Sequence, residues 1–146
     1  MSAVAVQFQL DDSELLKALD AYASRTKNLK PVFRLIALDF LDRVEDNFAS
    51  ESGFAFGEWE DLAPATIAAR RKNGVGYKIL QDTGVMAGSV TPDYGNDFAE
   101  AFTTIFYAKY HTSKEPRSKL PLRDFFDIDI ESAQKDAAEL ILEEII

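Results

Sequence analysis

The chain predicts an α+β fold, with helices packed on one face of a small antiparallel sheet. Three observations lead there. Residues 13–49 carry apolar side chains at helical spacing, residues 90–106 change to a period of two, and residues 131–146 return to helical spacing. At 146 residues the whole chain, 1–146, is the size of one domain and long enough to bury a real core.

Taken in order, residues 4–10 alternate, with Val4, Val6, Phe8 and Leu10 on one side, which predicts a strand. Asp11, Asp12 and Ser13 offer N-cap oxygens to a helix over 13–25, whose apolar positions are Leu15, Leu16, Leu19 and Tyr22. Pro31 suits the first turn of a second helix, reaching about residue 49. Val32, Phe33, Ile36, Ala37, Phe40, Leu41, Val44 and Phe48 form its broad buried face. Leu35 and Leu38 fall among its charges, so either another element or a partner subunit covers them. Residues 51–57 (ESGFAFG) predict a loop that exposes Phe54 and Phe56 between glycines.

Pro64 opens a short helix to about Lys72, stopped by the run NGVG at 73–76. Tyr77 to Leu80 is a short apolar segment, and Asp82 or Thr83 is placed to cap one more turn over 84–89. Residues 90–94 and 98–106 predict a hairpin around Gly95, Asn96 and Asp97. On its second strand Phe98, Phe102 and Phe106 share one face, and Ala99, Ala101, Thr103 and Ile105 share the other. Residues 112–119 read as a polar loop. Residues 125–130 (FFDIDI) alternate and predict a strand, and residues 131–146 predict a last helix with Ala133, Ala137, Leu140, Ile141 and Glu144 on one side.

Composition narrows the function classes. There is no Cys, which removes disulfides and thiolate metal sites. The N-terminus lacks the basic and apolar regions of a signal peptide, and no run approaches the ~18 apolar residues of a membrane span, so a soluble product of the cytoplasm is expected. The net charge of −9 argues against generic binding to a phosphate backbone. Charge is nevertheless segregated: residues 109–123 hold five basic residues and one acid, and residues 124–146 hold eight acids and one base. Blocks of opposite sign can meet within a protomer or between protomers.

His111 is the only histidine, and no Gly-x-Ser-x-Gly turn exists to position a nucleophile, so a structural or interface role is favoured over a catalytic one. The run NGVGYK lacks the Gly-Lys-Ser/Thr ending of a phosphate loop and reads as a helix stop. Arg70, Arg71 and Lys72 end a helix, where they complement its dipole. Asp124, Asp127 and Asp129 are spaced for a metal or acid–base site, but alternation with Phe126, Ile128 and Ile130 favours a solvated strand face. Trp59 reads as a core anchor. Arg123 is placed to pair with a carboxylate, either across its own loop or across a subunit boundary.

Five short runs, in order, resemble the phage virion morphogenesis family, which includes tail completion proteins. Residues 59–66 (WEDLAPAT) resemble its Trp, Leu, small residue, Pro and Thr run. Residues 79–84 (ILQDTG) resemble its Ile-Leu, two variable positions, Ser or Thr, and Gly, while residues 85–90 resemble the turn that follows. Residues 107–111 (YAKYH) resemble its Tyr-Ala-x-x-His element, and residues 120–125 (LPLRDF) its apolar, Pro, x, Arg, x, Phe element. The chain departs from the pattern at 112–116 (TSKEP), where the family usually has Gln and Gly after the His.

The resemblance implies a non-enzymatic phage or prophage structural protein, acting in tail completion or head–tail joining. Its expected partners are tail or neck/connector proteins, with self-association into a ring and a place in the virion. It implies no catalytic residue, no cofactor, no metal, and no membrane or direct nucleic-acid contact. The interface candidates are Phe54, Phe56, Lys109, His111, Lys114, Arg117, Lys119 and Arg123. Two other classes stay open: a small metal-dependent hydrolase or nuclease on Asp124, Asp127 and Asp129, and an acidic protein-binding module.

Overall fold

The computed structural model describes residues 4–7, 13–26, 28–74, 79–81, 84–113 and 121–145. The fold is α+β. The helices are α1 (Ser13–Thr26), α2 (Lys30–Ser50), α3 (Pro64–Lys72), α4 (Val85–Gly88), α5 (Lys109–Thr112) and α6 (Ile130–Ile145). The strands are β1 (Val4–Gln7), β2 (Ser52–Gly53), β3 (Gly57–Glu58), β4 (Thr91–Tyr94) and β5 (Ala99–Thr103). Two sheets are present among the described residues, one ordered β1-β5-β4 and the other made of β2 and β3. The chain divides into two compact units.

The second unit comprises Ala5–Asp42, Thr91–Phe102 and Asp129–Ile146. Helix α2 starts where the spacing predicts. Asn28 Oδ1 accepts the Lys30 N–H at 3.3 Å, and Pro31 occupies a first-turn position that needs no N–H. Val32, Phe33, Ile36, Ala37 and Phe40 are all buried. Each such burial contributes about 1.5–3 kcal/mol for the larger side chains, so this face is what holds the helix in place. Leu35 and Leu38 are half-buried, and Leu35 shares a small apolar recess with Ala137, Leu140 and Ile141 of α6. An element of the same chain therefore covers part of Leu35.

Helices α1 and α6 pack together. Ala18 and Leu19 are buried on α1, and Ala133, Ala137, Ala138 and Ile141 on α6. Leu16 and Leu140, both expected on buried faces, are exposed. Asp129 caps α6: its Oδ1 accepts the Ser132 N–H at 3.0 Å.

In the sheet, β4 and β5 are antiparallel, with Thr91 opposite Phe102 and Tyr94 opposite Ala99. Both strands are shorter than the alternation suggests. The small-residue face is the buried one, with Ala99 and Ala101 essentially inaccessible, while Phe98 is 41% exposed.

The first unit is built on Arg43–Val90 and Thr103–Ile128. Its core is aromatic. The Phe48 ring meets Trp59 edge-on at 5.8 Å and Phe125 at 4.8 Å, and Phe125 meets Phe126 at 4.8 Å. Such pairs add about 0.5–1.5 kcal/mol each beyond area burial. The end of α2 supplies Phe48, and Glu51 then stops the helix in the left-handed region at φ 55. The expected loop 51–57 is a tight hairpin of β2 and β3, with Ser52 opposite Glu58.

The strand expected over 125–130 does not form. Phe125 and Phe126 make a turn, residues 127–129 are irregular, and Ile130 already begins α6. The carboxylates are the reason. Asp124 Oδ1 takes the Phe126 N–H at 3.0 Å, and Asp129 takes that of Ser132, so the backbone is drawn into turns on both sides. Phe125, Phe126 and Ile128 are all buried, so the apolar residues here do not alternate between two faces. The proposed caps Asp82 and Thr83 lie outside the described residues.

Candidate functional site

Two features of the first unit stand out, a cleft and a prong. The cleft has a volume of about 610 Å³ and is open to solvent. One wall is Glu60 to Ala63 with the start of α3. Pro64 begins α3 without a side-chain cap from Ala63, and Thr66 and Arg70 point the helix's contribution to the same wall. A second wall is Leu80, Gly84, Val85 and Met86. Leu80 adopts φ 62 and Gly84 φ 76, so the chain turns twice through the left-handed region within five residues. For a leucine that conformation costs about 1–2 kcal/mol, which its neighbours must offset. Tyr107, His111, Pro121 and Arg123 close the cleft.

Hydrogen bonds fix these walls. The Ser89 hydroxyl donates to the Met86 carbonyl at 2.7 Å, which uses its one proton. The 2.6 Å contact between Ser89 Oγ and Thr103 Oγ1 is therefore donated by Thr103, whose oxygen in turn accepts the Ile105 N–H at 3.2 Å. This chain ties α4 to the end of β5. His111 is half-buried, and its carbonyl accepts the Arg123 N–H at 2.9 Å, joining α5 to residues 121–124. The Nδ1 atom of His111 is buried and closes no hydrogen bond, although the residue has other contacts.

Arg123 is 7% exposed. Its Nε donates to the Glu60 carbonyl at 3.0 Å, and its Nη2 donates to the carbonyls of Glu60 at 2.7 Å and Asp61 at 3.0 Å. Burial pushes its pKa below the usual arginine value, Glu60 pulls it up, and nearby Arg70 pushes it down again, with Asp61 a further upward pull. Within the chain, two backbone carbonyls rather than a carboxylate accept its hydrogen bonds. Through these bonds Arg123 braces residues 60 and 61 from within. Arg70, read from the sequence as a dipole-complementing helix end, is also buried, at 8% exposed.

The prong is the tip of the β2–β3 hairpin. Phe54 is 64% exposed and Phe56 53%. The tip is nonetheless held by three hydrogen bonds to one residue. Asp127 Oδ2 accepts the N–H groups of Ala55 at 2.8 Å and Phe56 at 3.0 Å, and the Asp127 carbonyl accepts that of Phe54 at 3.0 Å. Asn47 Nδ2 then donates to the carbonyls of Phe125 and Asp127, both at 3.0 Å, and so fastens the pin to α2. Gly53 is required here, because a Cβ on it would stand 2.9 Å from Asp127 Cβ.

Every lining residue of the cleft except Arg70 falls within the five runs 59–66, 79–84, 85–90, 107–111 and 120–125. Segments far apart in sequence meet around one concavity. A family model for phage virion morphogenesis matches residues 10–142. The chain belongs to the phage virion morphogenesis family. No curated protein and no solved structure matches it. The family match also takes in residues 10–50, where the sequence offered no motif beyond helical pattern. Membership in this family makes the chain a phage structural or assembly protein.

The other expected site residues divide. Lys109 is exposed on α5, with its Nζ 5.4 Å from the centre of the neighbouring Tyr110 ring. Lys114, Arg117 and Lys119 lie outside the described residues. The carboxylates of Asp124, Asp127 and Asp129 each accept backbone N–H groups at separate turns. Among the described residues no three Asp, Glu or His side chains gather in a way that could hold a metal ion. No described helix is long and apolar enough to cross a membrane.

Proposed function

We propose that this member of the phage virion morphogenesis family acts in tail completion or head–tail joining, by protein–protein contact and without catalysis. Its partners are tail or neck/connector proteins and further copies of itself in a ring, and its place of action is the virion. The observation that carries this reading is the pinned prong. Scattered exposed apolar residues need no explanation, but two phenylalanines separated by one residue on a tip fixed by three hydrogen bonds to Asp127 are different. Ordering the tip in advance removes part of the entropy cost of docking, and aromatic side chains are the usual anchors of interfaces.

The test is complementation of a phage deleted for the gene. Tailless or unjoined particles are expected from the deletion, and rescue by the unaltered chain, which should sediment with the particles. Infectious, normally tailed particles from the deletion would overturn the proposal.

A further inference from the structure

We propose that the cleft between residues 60–66 and 84–86 binds a carboxylate side chain on an acidic segment of another protein chain, received by Arg123. This deepens the assembly reading above and rests on it for the kind of partner. The geometry comes first. Arg123 lines the cleft, is more than nine-tenths buried, and is held by backbone carbonyls through Nε and Nη2 alone among the described residues. A guanidinium has five N–H donors, so among the described residues the two on Nη1 are not taken up. Arg70 lines the same cleft, equally buried, and lies close enough to Arg123 to repel it.

The acidic side chains of Glu60 and Asp61 stand nearby, yet burial and Arg70 together outweigh their attraction for the Arg123 charge. An entering anion would complete that balance. A bound carboxylate can also meet the planar guanidinium with two parallel hydrogen bonds.

The rest of the cleft fits a polypeptide better than a free ion or a nucleic acid. Leu62, Leu80, Val85 and Met86 give it an apolar side, onto which a neighbouring aliphatic residue can pack. Its volume of about 610 Å³ is within the ordinary range for sites that bury a whole ligand of several groups. The chain's net charge of −9 repels a phosphate backbone at long range, whereas a single carboxylate pays that repulsion once.

The experiment uses the full chain and two synthetic peptides, acetyl-Leu-Glu-Glu-Ile-amide and its Gln-for-Glu counterpart, followed by NMR chemical-shift titration. Inorganic phosphate and an oligo(dT) strand are titrated separately. The expected result is at least about tenfold tighter binding of the acidic peptide, lost when salt is raised to about 1 M because screening shortens to a few ångströms. Shifts should centre on residues 60–66, 84–86 and 123. Arg123→Lys, which keeps the charge but not the fork, should remove most of the preference. Because that position is buried, Val85→Glu gives a second variant: Val85 is 53% exposed, so the fold should tolerate it, and its carboxylate should block the site.

Equal binding of the two peptides, binding of neither, or tighter binding of phosphate or oligo(dT) would overturn the proposal. A chain that completes particles but shows no preference for the acidic peptide would sink this inference alone. One that binds the peptide but leaves assembly untouched when deleted would sink the assembly reading instead.

Discussion

Asp127 accepts the backbone N–H of Phe56 at 3.0 Å across a separation of 71 residues. The same oxygen takes the N–H of Ala55 at 2.8 Å. A residue just before the last helix therefore sets the conformation of a hairpin tip that follows α2. Exposure of Phe54 and Phe56 is thus a held state of the backbone.

Replacing Asp127 with Ala should destabilise the chain by about 1–2 kcal/mol, the value of hydrogen bonds to a charged acceptor reduced for partial exposure. Urea denaturation measures this. Amide hydrogen exchange at Ala55 and Phe56 should accelerate in the same variant. Unchanged exchange at both would show that the carboxylate does not hold the tip.

Gly53→Ala should cost about 1–3 kcal/mol through overpacking against Asp127. Combining it with Asp127→Gly, which removes the obstructing atoms, should cost less than the sum of the two single changes. Strict additivity in the denaturation cycle would contradict the close approach of Gly53 to Asp127.

Phe54→Ser and Phe56→Ser, singly or together, should each move stability by no more than about 0.5 kcal/mol, because both rings are already largely in water. Incorporation into particles should nevertheless fall. A thermal melt combined with co-sedimentation separates the two effects, and full incorporation of the double variant would remove the prong from the interface.

Thr103→Val keeps the shape of a side chain that is 1% exposed but deletes its hydroxyl. The Ile105 N–H then loses its acceptor and Ser89 Oγ its donor, at a cost of about 1–3 kcal/mol. The α4 wall of the cleft should loosen with it, visible as faster amide exchange at residues 86–89. A neutral substitution would mean that this chain of hydroxyls does not brace the wall.

The helices were legible because burial repeats with their own period. Ser13, Pro31 and Pro64 mark starts that the structure keeps within a residue. The exposed pair Phe54 and Phe56 was also legible, since glycines flank apolar residues there. The run FFDIDI alternates without forming a strand, because alternation in sequence says nothing about where a carboxylate finds its donor. Asp124 and Asp129 each reach a backbone N–H two or three residues on, and those bonds bend the chain. Arg123 was recognised as a residue in need of partners, but carbonyls at positions 60 and 61 cannot be seen in a pattern of side chains. The cleft was invisible for the same reason: five separate runs were identified, and only folding brings them to one place.

Glu51 ends α2 with its backbone in the left-handed region, gives its carbonyl to the Trp59 N–H at 2.8 Å, and accepts the Ile79 N–H on its carboxylate at 2.6 Å. A glycine would make that turn with less strain and would forfeit the second bond. The backbone bonds of the helix before it are local, although its buried face depends on the rest of the core. Its termination draws on progressively longer excursions of the chain, first to Trp59 and then across 28 residues to Ile79, each with a larger closure entropy. The position thus gathers the end of α2, Trp59 and Ile79 around one residue of the first unit.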